Sequence, residues 1–219
     1  MAYQEKYVAF LDILGFKEIV KSSSNKYDNH GKSKIHQALR YMNIIAEMND
    51  QAANNINKEN VIRHISDSII LSYPVHNFEL LLENVATLQF NLAEYGMYLR
   101  GAITLGEVFD EDGPIYGPGI IEAYELESSH AIYPRVILSE SVLKKEKETL
   151  KIISKRIKTD RDGMVYINWK YRKSQNNQAR FNDIILGIGS HITEMLKKYK
   201  KKPNIHQKYQ WLNDYLADA

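Results

Sequence analysis

Two aspartates stand where the chain changes direction. Asp12 closes the apolar run Tyr7-Val8-Ala9-Phe10-Leu11 and is followed three positions on by Gly15, while Asp67 separates the runs Asn60–Ile65 and Ser68–Tyr73. A carboxylate at the end of a strand can ligate a hard cation, and the backbone N–H groups of a turn leading into a helix can meet phosphate oxygens. Glycine at position 15 lets that backbone approach a ligand closely. Each aspartate alone has a plainer reading, Asp12 as the N-cap of the next helix and Asp67 as a turn residue. Two carboxylates held together repel and raise one another's pKa unless a cation bridges them, so their joint presence favours a metal.

The elements that must position these groups follow from hydrophobic periodicity. Tyr7–Leu11 has the length and composition of a buried strand. Helical spacing follows in Phe16, Ile19 and Val20, and again in Ile35, Leu39, Met42 and Ile45, with a polar loop at Ser22–Lys32 between them. Asn60–Ile65 and Ser68–Tyr73 are joined only by Ser66-Asp67, a hairpin with an acid at its tip. Phe78–Tyr95 sets Leu81, Val85, Leu88 and Leu92 on one helical face, Met97–Leu105 is a strand, Ile120–Ser129 a helix and Arg135–Leu138 a further strand. This order predicts an α+β fold built on a ferredoxin-like split βαβ core. Beyond it, Asp160-Arg161-Asp162-Gly163 is a turn before the strand Met164–Trp169, and amphipathic helices are expected near Asn182–Lys198 and Gln207–Ala217. We divide the chain into a core of residues 1–145 and a C-terminal strand and helical extension, 146–219, packed on it.

Composition narrows the chemistry. With 219 residues, 44% of them hydrophobic, the chain suits one well-buried core. A formal net charge of +2 gives no general pull toward nucleic acid or anionic membrane, so any polyanion site must be local. Zero cysteines exclude disulfides, thiolate metal sites and a cysteine nucleophile. The histidines are dispersed, with no pair at a metal-binding helical spacing, and His64 is expected to be a structural strand residue. No apolar stretch approaches the roughly 20 residues of a membrane span, so a cytoplasmic protein is expected.

Phe10-Leu11-Asp12-Ile13-Leu14-Gly15-Phe16 resembles the first strand and turn of the class III nucleotidyl cyclases, Phe-x-Asp-Ile-x-Gly-Phe. Three further segments are similar to that family in the same order: the hairpin Arg63-His64-Ile65-Ser66-Asp67-Ser68, with serine where glycine is usual; Leu99-Arg100-Gly101-Ala102-Ile103-Thr104-Leu105-Gly106; and the helix Tyr116–Ser128, ending in Leu126-Glu127-Ser128. The resemblance spans residues 7 to about 140. It implies that Asp12, Ile13 and Asp67 hold Mn2+ or Mg2+, that Ile13, Leu14, Gly15 and Phe16 meet the nucleotide, and that the chain works as a homodimer with sites between subunits.

The sequence also departs from the family. The helix positions that carry its asparagine and arginine hold Ile121 and Glu125, neither of which can stabilise a phosphoryl transition state. Arg63 matches the purine-reading lysine of the adenylate cyclases, and that code is not otherwise kept. In overall size, in the Phe-x-Asp-Ile-x-Gly-Phe turn and in its compact layout the chain resembles the Pycsar pyrimidine cyclases, and the resemblance implies that a 3′,5′-cyclic nucleotide is made from UTP or CTP as a bacterial antiphage signal. Arg100 or Arg135 is then expected to replace the absent arginine. The alternative is a pseudo-cyclase, a nucleotide-binding or dimerisation module without turnover. An RNA-binding ferredoxin-like domain is a weaker third reading, since the aromatic strand motif for base stacking is missing. Glu122, Glu125 and Glu127 are expected to form one acidic helix face, solvated or paired with lysines of a partner.

Overall fold

The computed structural model describes residues 2–23, 35–37, 39–40, 60–110, 114–171 and 178–218. Its frame is a single seven-stranded sheet. In chain order the strands are β1 (Gln4–Ile13), β2 (Val61–Ile65), β3 (Ser68–Pro74), β4 (Leu99–Val108), β5 (Val136–Leu138), β6 (Ile157–Thr159) and β7 (Val165–Ile167). The helices are α1 (Phe16–Ser23), α2 (Phe78–Glu94), α3 (Pro118–His130), α4 (Glu140–Lys145), α5 (Lys147–Ile152), α6 (Gln178–Lys198) and α7 (Pro203–Ala217). The spatial order β2-β3-β1-β4-β5-β7-β6 contains the predicted split βαβ arrangement, with β1 antiparallel to both β3 and β4. β5 is parallel to β4, and β7 and β6 extend the same sheet at that edge. Ile35 and Leu39 are helical and pack against the core, while Met42, Ile45 and nearly all of the expected loop Ser22–Lys32 lie outside the described residues.

The period-2 pattern of β1 gives the sheet two unlike faces. Tyr7, Ala9, Leu11 and Ile13 join Leu71, Ile103 and the apolar stripe of α2 in the main core, to which α6 and α7 add Ile188, Ile192, Leu212 and Tyr215. Each fully buried Leu or Ile there contributes about 1.5–3 kcal/mol. The alternate residues, Val8 and Phe10, form a smaller cluster with Ile70, Val108 and Ala123 of α3. Asp12 continues this second set, and its neighbours in register are Ser68 on β3 and Arg100 on β4.

α3 lies closely on β4 because two glycines meet. A Cβ on Gly106 would fall 2.8 Å from the Gly119 Cα, and one on Gly119 would fall 3.1 Å from the Gly106 carbonyl carbon. The Thr104 hydroxyl donates to the Gly119 carbonyl at 2.9 Å, fixing the register of helix on strand. Gly106→Ala is expected to force backbone apart from backbone and to lower stability by about 1–3 kcal/mol in denaturant unfolding, with the overall fold retained.

Candidate functional site

Strand β1 ends in a turn that the neighbouring strands hold. The Ile13 N–H donates to the Asp67 carbonyl at 3.1 Å, tying the β2–β3 hairpin tip to the end of β1. The Leu14 N–H donates to the Tyr98 carbonyl at 2.8 Å. Gly15 then takes φ +73° and α1 begins, with the Gly15 carbonyl accepting from Glu18 and Ile19. Of the four turn N–H groups expected to meet a nucleotide, those of Ile13 and Leu14 are thus already used. Among the described residues, no protein acceptor meets those of Gly15 and Phe16.

The hairpin tip brings Asp67 to Asp12. Burial pushes the Asp12 carboxyl above the usual carboxylate range; Arg100 opposes this, and the charge and hydrogen bonding of Asp67 add to it. Arg100 lies across from Asp12, its Nε donating to Asp12 Oδ2 at 3.2 Å. The same Nε is 2.9 Å from Glu127 Oε1, an ion pair lying off the N–H direction. Glu127 Oε1 has no hydrogen-bond donor among the described residues, although the residue is only 3% exposed. Its carboxyl is also raised, chiefly by burial. Glu127 therefore leaves the solvated face expected for it: residues 122 and 125 are exposed, and a step of two helical positions turns Glu127 inward.

Lys208, on α7, completes the cluster. Burial lowers its ammonium below the usual lysine range; Arg100 acts in the same sense, while Asp12 and Glu127 oppose it. Sequence reasoning missed both Glu127 and Lys208. The first sits inside the Leu-Glu-Ser segment quoted above, while the second carries no local signal at the end of a lysine-rich stretch.

Arg135 is placed elsewhere, and the expectation that it faces the nucleotide is corrected. Its side chain is fully buried. One terminal nitrogen pairs with Asp160, the other with Asp162, and the guanidinium carbon lies 5.3 Å from the Tyr133 ring centre and 6.0 Å from that of Trp211. It is a structural cation, enclosed by the β6–β7 turn and α7. Arg63 lies on β2 in the cross-strand row Arg63, Ile70, Phe10 and Ala102, adjacent to the row of Asp12 and Arg100; its Nη1 donates to the Ile62 carbonyl. Ile121 is 59% exposed, Glu125 is exposed, and the ring of Tyr124 packs edge-on against Phe10.

Two hard carboxylates brought together at one sheet edge, with Asp67 raising the proton affinity of Asp12, form a donor set suited to a divalent cation. Among the described residues, no group of three or more acids and histidines is arranged to hold a metal. Asp12 and Asp67 would thus supply one or two positions and leave the rest to main-chain carbonyls, water and substrate oxygens, the usual manner of Mg2+.

Solved structures share the fold. A bacterial light-regulated adenylyl cyclase aligns over 86% of this chain and 100% of its own, with 13% identity and a TM-score of 0.52. The chain has the class III nucleotidyl cyclase fold. The adenylyl cyclase CyaB of P. aeruginosa aligns over 76% of this chain and 95% of its own at 18% identity, TM-score 0.49. The guanylyl cyclase domain of the RhoGC fusion protein of Blastocladiella emersonii covers 76% and 96% at 17% identity, TM-score 0.47. No protein-family profile and no curated protein matches the chain. No helix among the described residues is long and apolar enough to cross a membrane.

Within this cyclase fold the hairpin carries one local strain. Ser66, where the sequence resemblance places a glycine, has φ +59°, in the left-handed region that L side chains enter at a cost of roughly 1–2 kcal/mol. Ser66→Gly is expected to raise the unfolding midpoint by an amount equivalent to about 1 kcal/mol, after the greater freedom of glycine in the unfolded chain is offset. Arg135→Met is expected to lower stability by about 3–5 kcal/mol, because it strands the Asp160 carboxylate, and chemical denaturation of the two variants would show the opposite signs.

Proposed function

We propose that the protein is a metal-dependent nucleotide cyclase that converts UTP or CTP to the 3′,5′-cyclic nucleotide and pyrophosphate. The observation that carries this reading is the meeting of Asp12, Asp67 and Arg100 beside the Gly15–Phe16 turn on a cyclase fold. In the reaction the ribose 3′-oxygen bonds to the α-phosphorus, its proton is lost, and the bond from the α-phosphorus to the bridging oxygen breaks as pyrophosphate leaves. Asp12 and Asp67, with the Ile13 main chain, would hold Mn2+ or Mg2+, which when bound supplies charge neutralisation at the phosphates and activation of the hydroxyl.

The chain's own groups have separable tasks. The N–H groups of Gly15 and Phe16 bind phosphate oxygens at the start of α1. Arg100, already beside Asp12, offers a guanidinium to the triphosphate once a metal takes over the neutralisation of the carboxylates. Arg63, on the same sheet face, reads the base. The exposed Tyr3, Tyr116, Ile121 and Tyr124 support pairing with a second copy, since exposed rings and aliphatic side chains suit an interface. A cytoplasmic role in antiphage defence rests on the sequence resemblance alone.

A second reading, a nucleotide-binding or dimerisation module without turnover, is favoured by the solvent-facing Ile121 and Glu125, which offer no cation where the resemblance expects one. Incubation with each of the four ribonucleoside triphosphates and Mn2+ decides between the two. A cyclic pyrimidine product is expected, together with loss of at least a hundredfold in rate in Asp12→Asn and Asp67→Asn and an unfolding midpoint unchanged or higher. Nucleotide binding with no product from any of the four would move the assignment to the module; full activity in both variants would remove the metal assignment.

A further inference from the structure

α7 is fastened so that one of its lysines is delivered to the site. Tyr209 meets Tyr98 edge-on at 6.0 Å, and Tyr98 is the residue whose carbonyl holds the Leu14 N–H of the Gly15 turn. Leu212 is buried in the core, and Trp211 stacks on Tyr133 while its indole N–H donates to Asp160 at 2.6 Å. One turn further on, the Tyr215 hydroxyl donates to Asn168 and accepts the Lys170 N–H. Lys208, Leu212 and Tyr215 follow the i, i+4, i+7 spacing of one helical face. The helix therefore meets the entry of β4 with Lys208 directed to the end of the strand where Arg100 begins the site.

The state of the ammonium indicates what it awaits. Lys208 is half-buried and senses the charges of Arg100, Asp12 and Glu127, yet among the described residues its Nζ makes no salt bridge and no hydrogen bond to either acid. Glu127 Oε1 in turn has no donor, so the lysine acts on it through space and not through a hydrogen bond. A cation that has lost part of its water, stands beside a second cation and has no contact partner is held in an unfavourable state until an anion arrives. Metal binding to Asp12 and Asp67 would withdraw negative charge from both cations at once and leave Arg100 and Lys208 facing whatever polyanion the metal brings.

We propose that Lys208 is a direct contact for the triphosphate chain, carried to the site by the C-terminal helix and acting as a pair with Arg100. This rests on the reading of the Asp12–Asp67 cluster as a nucleoside triphosphate site. The ligand chemistry is a string of phosphates, with no demand on the base.

The probe is inorganic tripolyphosphate with Mn2+, titrated calorimetrically into the full chain and into Lys208→Met, Lys208→Arg and, as a control of equal charge change, Lys201→Met at the exposed end before α7. The expected result is a tenfold or greater loss of tripolyphosphate affinity in Lys208→Met, recovery to within about threefold of the parent in Lys208→Arg, and no change in Lys201→Met. A lysine that merely balances Glu127 and Asp12 would lower the thermal midpoint in Lys208→Met and leave the affinity of the folded protein unchanged; that outcome, or an absence of tripolyphosphate binding by the parent, overturns the proposal. The two readings fail separately. Tripolyphosphate binding through Lys208 without cyclisation of any nucleotide retains this contact and removes the cyclase, whereas cyclisation that needs Asp12 and is indifferent to Lys208→Met does the reverse.

Discussion

A guanidinium sealed from solvent imposes its terms on everything around it. Arg135 stands just before β5 with no exposure, and a charge taken out of water must find counter-charge in the fold or unfold it. Asp160 and Asp162 provide that charge from the turn between β6 and β7, and Tyr133, Tyr166 and Trp211 surround the flat cation with rings. Asp160 also accepts from the Trp211 indole, so the turn, the strand edge and α7 are fastened at one point. The position of α7 over Tyr98, and with it the position of Lys208, depends on that knot.

The other half of the site comes from the alternation of β1. Because successive side chains face opposite ways, the run that buries Tyr7, Ala9, Leu11 and Ile13 under α2 must present Val8, Phe10 and Asp12 to the side where α3 lies. α3 covers Val8 and only part of Phe10, so the acid at the strand end stays accessible while remaining in a low-dielectric setting. Partial burial of this kind raises the proton affinity of Asp12 and Glu127 and lowers that of Lys208. All three shifts have the same largest cause, the loss of water from charged groups, and all three would relax when a metal and a polyanion replace that water.

Much of this was legible in the sequence. The apolar runs, the Gly15 turn and the two-residue hairpin at Ser66-Asp67 suffice to order the first four strands, and that order alone brings Asp67 to the end of β1. What could not be read has physical reasons. β6 is two half-exposed residues and one exposed, too short to show alternation, and it exists because β7 offers it an edge. The buried state of Glu127 depends on which way α3 is rolled, which the Gly106–Gly119 contact decides and the charge pattern does not reveal. Arg135 and its two aspartates were each visible, the latter as a turn, yet nothing local says that residues 25 and 27 positions apart must meet. Lys208 is indistinguishable from its solvated neighbours until α7 is docked.

The spread of the site along the chain gives it an order of birth. Asp12, Asp67, Arg100 and Glu127 leave the ribosome in that sequence, and Lys208 follows the last of them only after a further 80 residues. During that interval the acids outnumber the one cation among them. The second cation arrives with α7, after the β6–β7 turn that must first close on Arg135. A nascent chain therefore carries the acidic part of the cluster well before the part that balances it, and a chain stopped short of residue 208 never acquires the second positive charge.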